Sequence, residues 1–312
     1  MTSTLSRPRA TRRPAPPPAR RRRRSGWVAL GFTGPLWLYV AAFYVYPLVT
    51  NVRMSFLDYS VSSFYTGLAP FVGLDNYRSV FADSHMTRTV LNTAGFTAGS
   101  LAFQFTIGLA LAVFFHRHFP LAGVLRALLL VPWLLPLVVS GTAWRWILDT
   151  DNGVLNQTLL ALHLTHTATP WLASTRMALI AVTLVNIWVG IPFNMVILYG
   201  GLQAIPEQLY EAASLDGATR WQQFRRITWP MLRPVTAIVL TLGLIYTIKV
   251  FDVIMVLTQG GPAGSSQTLT TWSYQLSFHD LTFGRGAAVG NLLIVVAVVF
   301  AFAYLRGLRR SR

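Results

Sequence analysis

The sequence predicts an all-α membrane protein of about six transmembrane helices, with a cytoplasmic helix-turn-helix loop between the fourth and fifth spans. Three observations carry that expectation. Hydrophobic residues make up 53% of the 312 positions and charged ones only 12%, a balance too apolar for a soluble domain. Several runs of about twenty residues lack Asp, Glu, Lys and Arg, which is the length a helix needs to cross the hydrocarbon core. The formal charge of +16 falls almost wholly on the segments that would share one face of the membrane.

Taken in order, the chain opens on a basic tail, residues 1–26, with Pro14, Pro16, Pro17 and Pro18 followed by Arg20 to Arg24. This composition suits a disordered anchor at an anionic lipid surface better than a nucleic-acid patch, because the next residues enter lipid. Residues 27–312 read as one six-helix transmembrane domain. Trp27 to Val49 follows the arginines as a signal peptide would, but it is longer than a cleavable apolar core and no A-x-A site closes it. It is therefore read as a retained first span.

Spans are expected near residues 28–50, 91–115, 123–146, 177–200, 235–257 and 287–305. Pro132 and Pro136 interrupt the third and Pro192 the fourth. Membrane helices tolerate such prolines when neighbours satisfy the freed carbonyls, so they are read as kinks rather than ends.

Six spans leave both termini on one side. That side collects 19 of the 26 basic residues and three acidic ones, Glu207, Glu211 and Asp216, whereas the rest of the chain carries seven of each sign. Cytoplasmic segments retain Lys and Arg, so both ends are expected in the cytoplasm of a multi-pass cell-membrane protein.

Several chemistries are excluded. Cysteine is missing, which rules out disulfides, thiol nucleophiles and cysteine-ligated metal. Lys249 is the only lysine and follows Ile248, so no phosphate-binding G-x(4)-G-K-[ST] loop can occur. His116 and His118 stand two apart and would point to different helix faces, which suits a polar turn rather than a metal pair. His85, His163, His166 and His279 fall in external loops with no hydrolase elbow or zinc-protease helix nearby. No catalytic residue and no metal ligand is expected.

The polar stretch 203–234 has helix punctuation throughout. Pro206 suits a first helical turn, Glu207 the positive helix end, Ala212 and Ala213 are strong helix formers, and Gly217 can take the left-handed conformation that stops a helix. A second short helix is expected to run to Pro230, and Leu209, Ala213 and Phe224 offer an apolar surface to a partner's groove.

The run Glu211, Ala212, Ala213, then Asp216, Gly217, Ala218, then Phe224, Ile227 and Pro230 resembles the EAA motif of permease subunits in binding-protein-dependent ABC importers. Val72, Gly73, Leu74, Asp75, Asn76 and Tyr77, then Asn92 and Thr93, and the run from Leu257 to Pro262 resemble the MalF-type carbohydrate branch. The likeness covers nearly everything from residue 28 onward. Trp229, where the family has Leu, and the long basic tail depart from it. The resemblance implies a coupling loop that docks on a separate ATPase, and a solute such as a sugar, oligosaccharide, polyol or glycerol phosphate. It further implies a second homologous permease subunit, two ATPase copies that hold ATP and Mg, and an extracytoplasmic solute-binding protein. No cofactor on this chain and no nucleic-acid partner are implied; membrane lipid is its surrounding.

Polar and aromatic side chains inside spans have no partner in lipid and so become candidates for the solute path. Asn186, Gly190, Phe193 and Asn194 fall on one face of the fourth span, and Gly243, Tyr246 and Thr247 on one face of the fifth. Helix-helix packing is the competing reading of the same residues. Lys249 and Asp252, three apart, are close enough to neutralise each other near the outer edge. The rival architecture, a six-span secondary transporter or channel acting as a homodimer, would need ion-coupling residues inside the membrane, and few are present.

Overall fold

The computed structural model describes residues 25–117 and 119–310. The tail expected over residues 1–26 therefore lies almost wholly outside the described residues, as does His118. The chain divides into two compact units, residues 1–50 and 51–312.

The described part of the first unit is one helical path. It contains α1 (Ser25–Val40), a π turn (Ala41–Val45) and most of α2 (Tyr46–Met54). Its rings stack along the helix, Tyr39 against Phe43 at 4.9 Å between centroids.

The second unit continues through α3 (Val61–Thr66), α4 (Asp75–Ala82), α5 (His85–Phe115), α6 (Ala122–Leu134), α7 (Leu137–Ile147) and α8 (Val154–Ala161). It then runs through α9 (Ala178–Gln203), α10 (Glu207–Leu215), α11 (Arg220–Gln223), α12 (Trp229–Ile248), α13 (Asp252–Leu257), α14 (Leu269–Tyr274) and α15 (Phe283–Arg310). Among the described residues there is no strand beyond one isolated bridge between Leu57 and Phe71.

At the centre α5 packs along α9, and paired contacts show the two running parallel. Ser100 meets Asn186, Gln104 meets Asn186 and the Gly190 position, and Gly108 meets Asn194. Glycine matters at two of these crossings. A Cβ on Gly108 would lie 2.6 Å from the Asn194 Cβ and 3.1 Å from the Met195 nitrogen, so only a bare backbone allows this close approach. Beyond the crossing, Ala112, Met195, Leu198, Leu202, Leu232 and Val239 form a buried cluster.

Among the described residues four helices are long and apolar enough to cross a membrane, at 31–54, 85–115, 178–203 and 220–248, and α6 and α7 make a fifth when the bent pair is taken as one span. The apolar part of α15, 283–299, supplies the sixth apolar segment. The sequence-expected segments are thus all helical, with three corrections to their form.

The third span is broken rather than kinked: α6 and α7 meet at 96°. Pro136 disfavours helical torsion at the residue before it, and here Leu135 is extended at φ −73°, ψ 142°. Pro132 and Pro192, by contrast, lie inside continuous helices.

The fifth span ends at Ile248 rather than near 257, and α13 is a separate helix beginning at Asp252. The second helix of the loop does not stop at Pro230 either. It passes through a π turn (Phe224–Thr228) straight into α12, with the Trp229 amide donating to the Phe224 carbonyl. That wider register precedes a proline which lacks an N–H of its own, so the helix absorbs Pro230 instead of ending there.

Candidate functional site

Three regions hold the residues singled out in the sequence. The first is the loop between α9 and α12. The α10 helix ends in a complete Schellman motif: the Ala218 amide donates to the Ala213 carbonyl at 2.9 Å and the Gly217 amide to the Ser214 carbonyl at 3.0 Å. Gly217 sits at φ 77°, the left-handed region in which a side chain is strained. Thr219 then starts α11 with a capping box, its amide donating to Gln222 Oε1 at 2.8 Å and its hydroxyl accepting from the Gln222 amide. The motif from Glu211 to Ala218 is thus, physically, a helix, its stop and the next helix start.

The same loop is tied back to the body of the protein. The Tyr210 and Thr228 hydroxyls are 2.9 Å apart and Gln223 donates to the Ser214 hydroxyl at 2.9 Å. Tyr210 and Ile227 pack against the buried cluster around Leu202 and Leu232. Ala213, Ala218 and Phe224 are half-buried, whereas Glu211, Ala212, Asp216, Gly217 and Pro230 are exposed. Two apolar side chains that sequence reasoning passed over are the most open here, Leu215 at 90% and Trp221 at 69% exposure. Trp221 stacks on Phe224, with ring centroids 5.6 Å apart. A cleft of about 1550 Å³ separates the loop from the turn after α5, and Arg117, Arg126 and Arg220 are among its lining residues.

The second region is where the two polar stripes lie, and the structure divides them. Asn186 is buried, donates to the Ser100 hydroxyl at 2.9 Å and, through its carbonyl, accepts from Gln104 at 2.8 Å. A Cβ on Gly190 would meet the Gln104 amide at 2.3 Å, and one on Gly243 would meet Leu101 at 2.9 Å. Asn194 is buried and donates to the Gly190 carbonyl at 2.9 Å, and Thr247 is buried too. These five line the packing of α5, α9 and α12.

Phe193 and Tyr246 face the other way. Their ring centroids are 6.0 Å apart at an interplanar angle of 82°, and Trp133 adds a third ring 5.9 Å from Phe193. Trp133 and Tyr246 are about half exposed, at 48% and 54%. Trp133 was not marked as a candidate in the sequence, because it reads as one more aromatic in an apolar run. The packing of α6 on α9 places it beside Phe193.

Lys249 does not pair with Asp252 as the spacing suggests. No ion pair within 4.0 Å involves either residue among the described residues. Instead the Lys249 ammonium stands over the Tyr246 ring, 5.0 Å from its centroid. The helix ends between them, so the i, i+3 geometry that would have brought them together is lost.

The third region, at the opposite end of α5 and α9 from the loop, gathers the remaining motifs. Asn76 donates to the Ser55 and Leu57 carbonyls at 3.0 and 2.9 Å. The Tyr77 hydroxyl accepts from Asn291, which in turn accepts from Asn51. Asn92 donates to the Gly264 and Gln267 carbonyls at 3.1 and 3.0 Å, and Thr93 accepts from the Leu269 amide at 2.9 Å. The turn at Gly260 to Pro262 carries positive φ at Gln259, Gly260, Ala263 and Gly264. Asp83 pairs with Arg285 at 2.9 Å beside it.

Comparison with known proteins places this arrangement. Residues 104–311 match the family described as binding-protein-dependent transport system inner membrane component. The trehalose/maltose transport system permease protein MalF of Thermococcus litoralis is 34% identical over 76% of this chain and 79% of its own length. The sulfoquinovosyl glycerol transport system permease protein SmoG of Agrobacterium fabrum is 32% identical over 90% of each. The crystal structure of a bacterial ABC transporter that imports the acidic polysaccharide alginate contains a chain of the same fold, with TM-score 0.80 over 92% of this chain and 96% of that one at 23% identity. The chain belongs to the family of inner membrane components of binding-protein-dependent transport systems.

Proposed function

We propose that this chain is one permease subunit of an ATP-driven importer for a carbohydrate-like solute, and that it couples to ATP hydrolysis on a separate chain through the loop from Glu207 to Pro230. The observation that carries the reading is the loop itself. Two short helices, fixed relative to each other by the Schellman stop at Gly217 and the Thr219 capping box, present exposed Leu215 and Trp221 beside Glu211 and Asp216. Ties through Tyr210 and Thr228 link that surface to the spans. A surface held this way can transmit a partner's movement to α9 and α12 rather than absorb it.

The relatives whose printed names carry trehalose, maltose and sulfoquinovosyl glycerol support a carbohydrate-like solute. In this reading Trp133, Phe193 and Tyr246 cover the C–H faces of the solute, as two exposed rings flanking a half-buried one at 5.9 and 6.0 Å suit. Asn186, Gly190, Asn194, Gly243 and Thr247 hold the helices that carry them. A second homologous permease completes the pathway, two ATPase copies bind ATP and Mg, and a solute-binding protein docks at the α4 and α14 end. Both termini then lie in the cytoplasm, with the charge distribution in support.

Gly217→Val and Glu211→Lys test the coupling role. A β-branched residue at φ 77° is strained by roughly 1–2 kcal/mol and mis-aims α11, while reversal of Glu211 opposes a surface that already carries Arg220, Arg225 and Arg226. Both variants should insert in the membrane normally and lose ATPase copurification together with solute-stimulated hydrolysis. Wild-type association and stimulation in both would remove the loop from the coupling role.

A further inference from the structure

We infer that the solute carried along the aromatic surface is anionic, with Lys249 as the residue that selects its charge. The inference rests on the proposed solute path over Trp133, Phe193 and Tyr246 and goes beyond it by assigning a charge to what passes.

Lys249 is the chain's only lysine. The α9 segment holds no charged residue, and between Arg233 and Lys249 there is none in α12. The ammonium group is therefore the one charge that these two helices place beside the aromatic surface. It is exposed, sits 5.0 Å from the centre of the Tyr246 ring, and has no carboxylate within 4.0 Å among the described residues. Asp252, the acidic residue nearest in sequence, begins α13 and does not reach it.

The Tyr246 ring fixes where the ammonium stands without neutralising it. Its N–H donors stay available at the edge of the aromatic surface, and a charge-assisted bond from them to an anionic group is roughly twice as strong as one to a neutral hydroxyl. The geometry matches a saccharide that bears a carboxylate, sulfonate or phosphate: rings cover its apolar faces while the ammonium takes its anionic group. Neutral and cationic solutes gain nothing from this residue, and cations are repelled.

The test uses the assembled transporter with its own solute-binding protein in proteoliposomes. Thermal shift of the binding protein is first measured over matched pairs, galactose against galacturonate, glucose against its 6-sulfonate, and trehalose against its 6-phosphate, together with non-sugar organic acids and phosphate. Uptake of the captured compound is then followed at subsaturating concentration for wild type, Lys249→Gln and Lys249→Arg, per assembled complex. The expected result is capture of an anion, a fall in uptake of about tenfold or more for Lys249→Gln, and near-normal uptake for Lys249→Arg.

Capture of neutral sugars only would overturn the inference, and that measurement needs no variant to fold. Unchanged uptake per complex in Lys249→Gln would overturn it as well, including the case where the variant only weakens assembly because a partner subunit supplies the counter-charge. The two readings fail separately. Capture of a non-sugar anion with the same Lys249 dependence would sink the carbohydrate assignment and leave this one standing, whereas capture of a neutral sugar would do the reverse.

Discussion

Ala212, Ala213 and Gly217 in the loop and Gly108, Gly190 and Asn194 at the α5–α9 crossing are the same kinds of residue, small or short and polar, yet they serve opposite ends. In the loop they lie at or near the surface and shape a helix stop. At the crossing they are pressed against a neighbouring helix so closely that added Cβ atoms would fall within 2.3 to 2.6 Å of another side chain. The difference teaches that small residues in a membrane protein report backbone geometry in one case and helix approach in the other. Sequence spacing alone does not distinguish them, because both patterns are built from small or short side chains.

The largest expected effect comes from forcing the crossing apart. Gly108→Val sets branched carbons against the Asn194 Cβ and the Met195 nitrogen, and the latter is backbone that cannot swing away. Overpacking of this kind costs ~1–3 kcal/mol or more, enough to lower the yield and melting temperature of the detergent-extracted protein sharply. Gly217→Val, with open space around its Cβ position, carries only the local backbone strain of roughly 1–2 kcal/mol in an exposed turn and should lower both less. Equal losses in the two variants would erase the contrast between the regions.

The second prediction separates packing from path within the spans. Asn186→Leu leaves the Ser100 hydroxyl without its donor, at a cost of about 1–3 kcal/mol for a buried group. Its effect should therefore appear first in thermal stability. Tyr246→Ala, at a half-exposed ring, should leave stability near wild type and reduce solute uptake several-fold. If Asn186→Leu melts normally but fails to transport, the asparagine belongs to the solute path after all.

How far the sequence could be read follows the same division. Features written in consecutive residues were legible: apolar runs gave the spans, and Pro206, Gly217 and the charges around them gave the two-helix loop. Features that depend on what lies opposite were not. Nothing in the run around Trp133 signals that the packing of α6 on α9 will bring it beside Phe193. Likewise, the i, i+3 spacing of Lys249 and Asp252 predicts a pair only if the helix continues, and it ends at Ile248. The face of each polar stripe was readable by periodicity, but whether that face meets a helix or open space was set by Gln104, Leu101 and Ser100 on α5.

A smaller effect should mark the tie between the loop and the spans. Tyr210→Phe removes a hydroxyl 2.9 Å from that of buried Thr228, a loss of roughly 0.5–1.5 kcal/mol. ATPase copurification should persist, while the ratio of solute transported to ATP hydrolysed should fall. Full coupling in this variant would show that the packing of Ile227 and Tyr210 on the core suffices without the hydrogen bond.

The smallest effect concerns the end opposite the loop. Asp83 accepts from the His85 amide at 3.0 Å, lies 2.9 Å from His85 Nδ1, and pairs with Arg285 at 2.9 Å. Burial pushes its carboxyl group up, but the hydrogen bonds from His85 and Arg285, with the charge of His85, outweigh that and hold it below its ordinary value of 3.8. A carboxylate whose folded value is depressed stabilises the fold at every pH above its ordinary value, and that stabilisation fades as pH falls from there through the folded value. The Arg285 Nε, buried without a hydrogen-bond partner, makes Asp83 the main compensation for that guanidinium. Asp83→Asn should therefore cost about 1 kcal/mol or less near pH 6, seen as a small drop in melting temperature. The gap between variant and wild type should close as the solution is taken below the ordinary value of 3.8 and on through the lower folded value. A gap that stays constant with pH would mean that Asp83 acts through shape alone, and the ion pair to Arg285 contributes nothing to holding this end together.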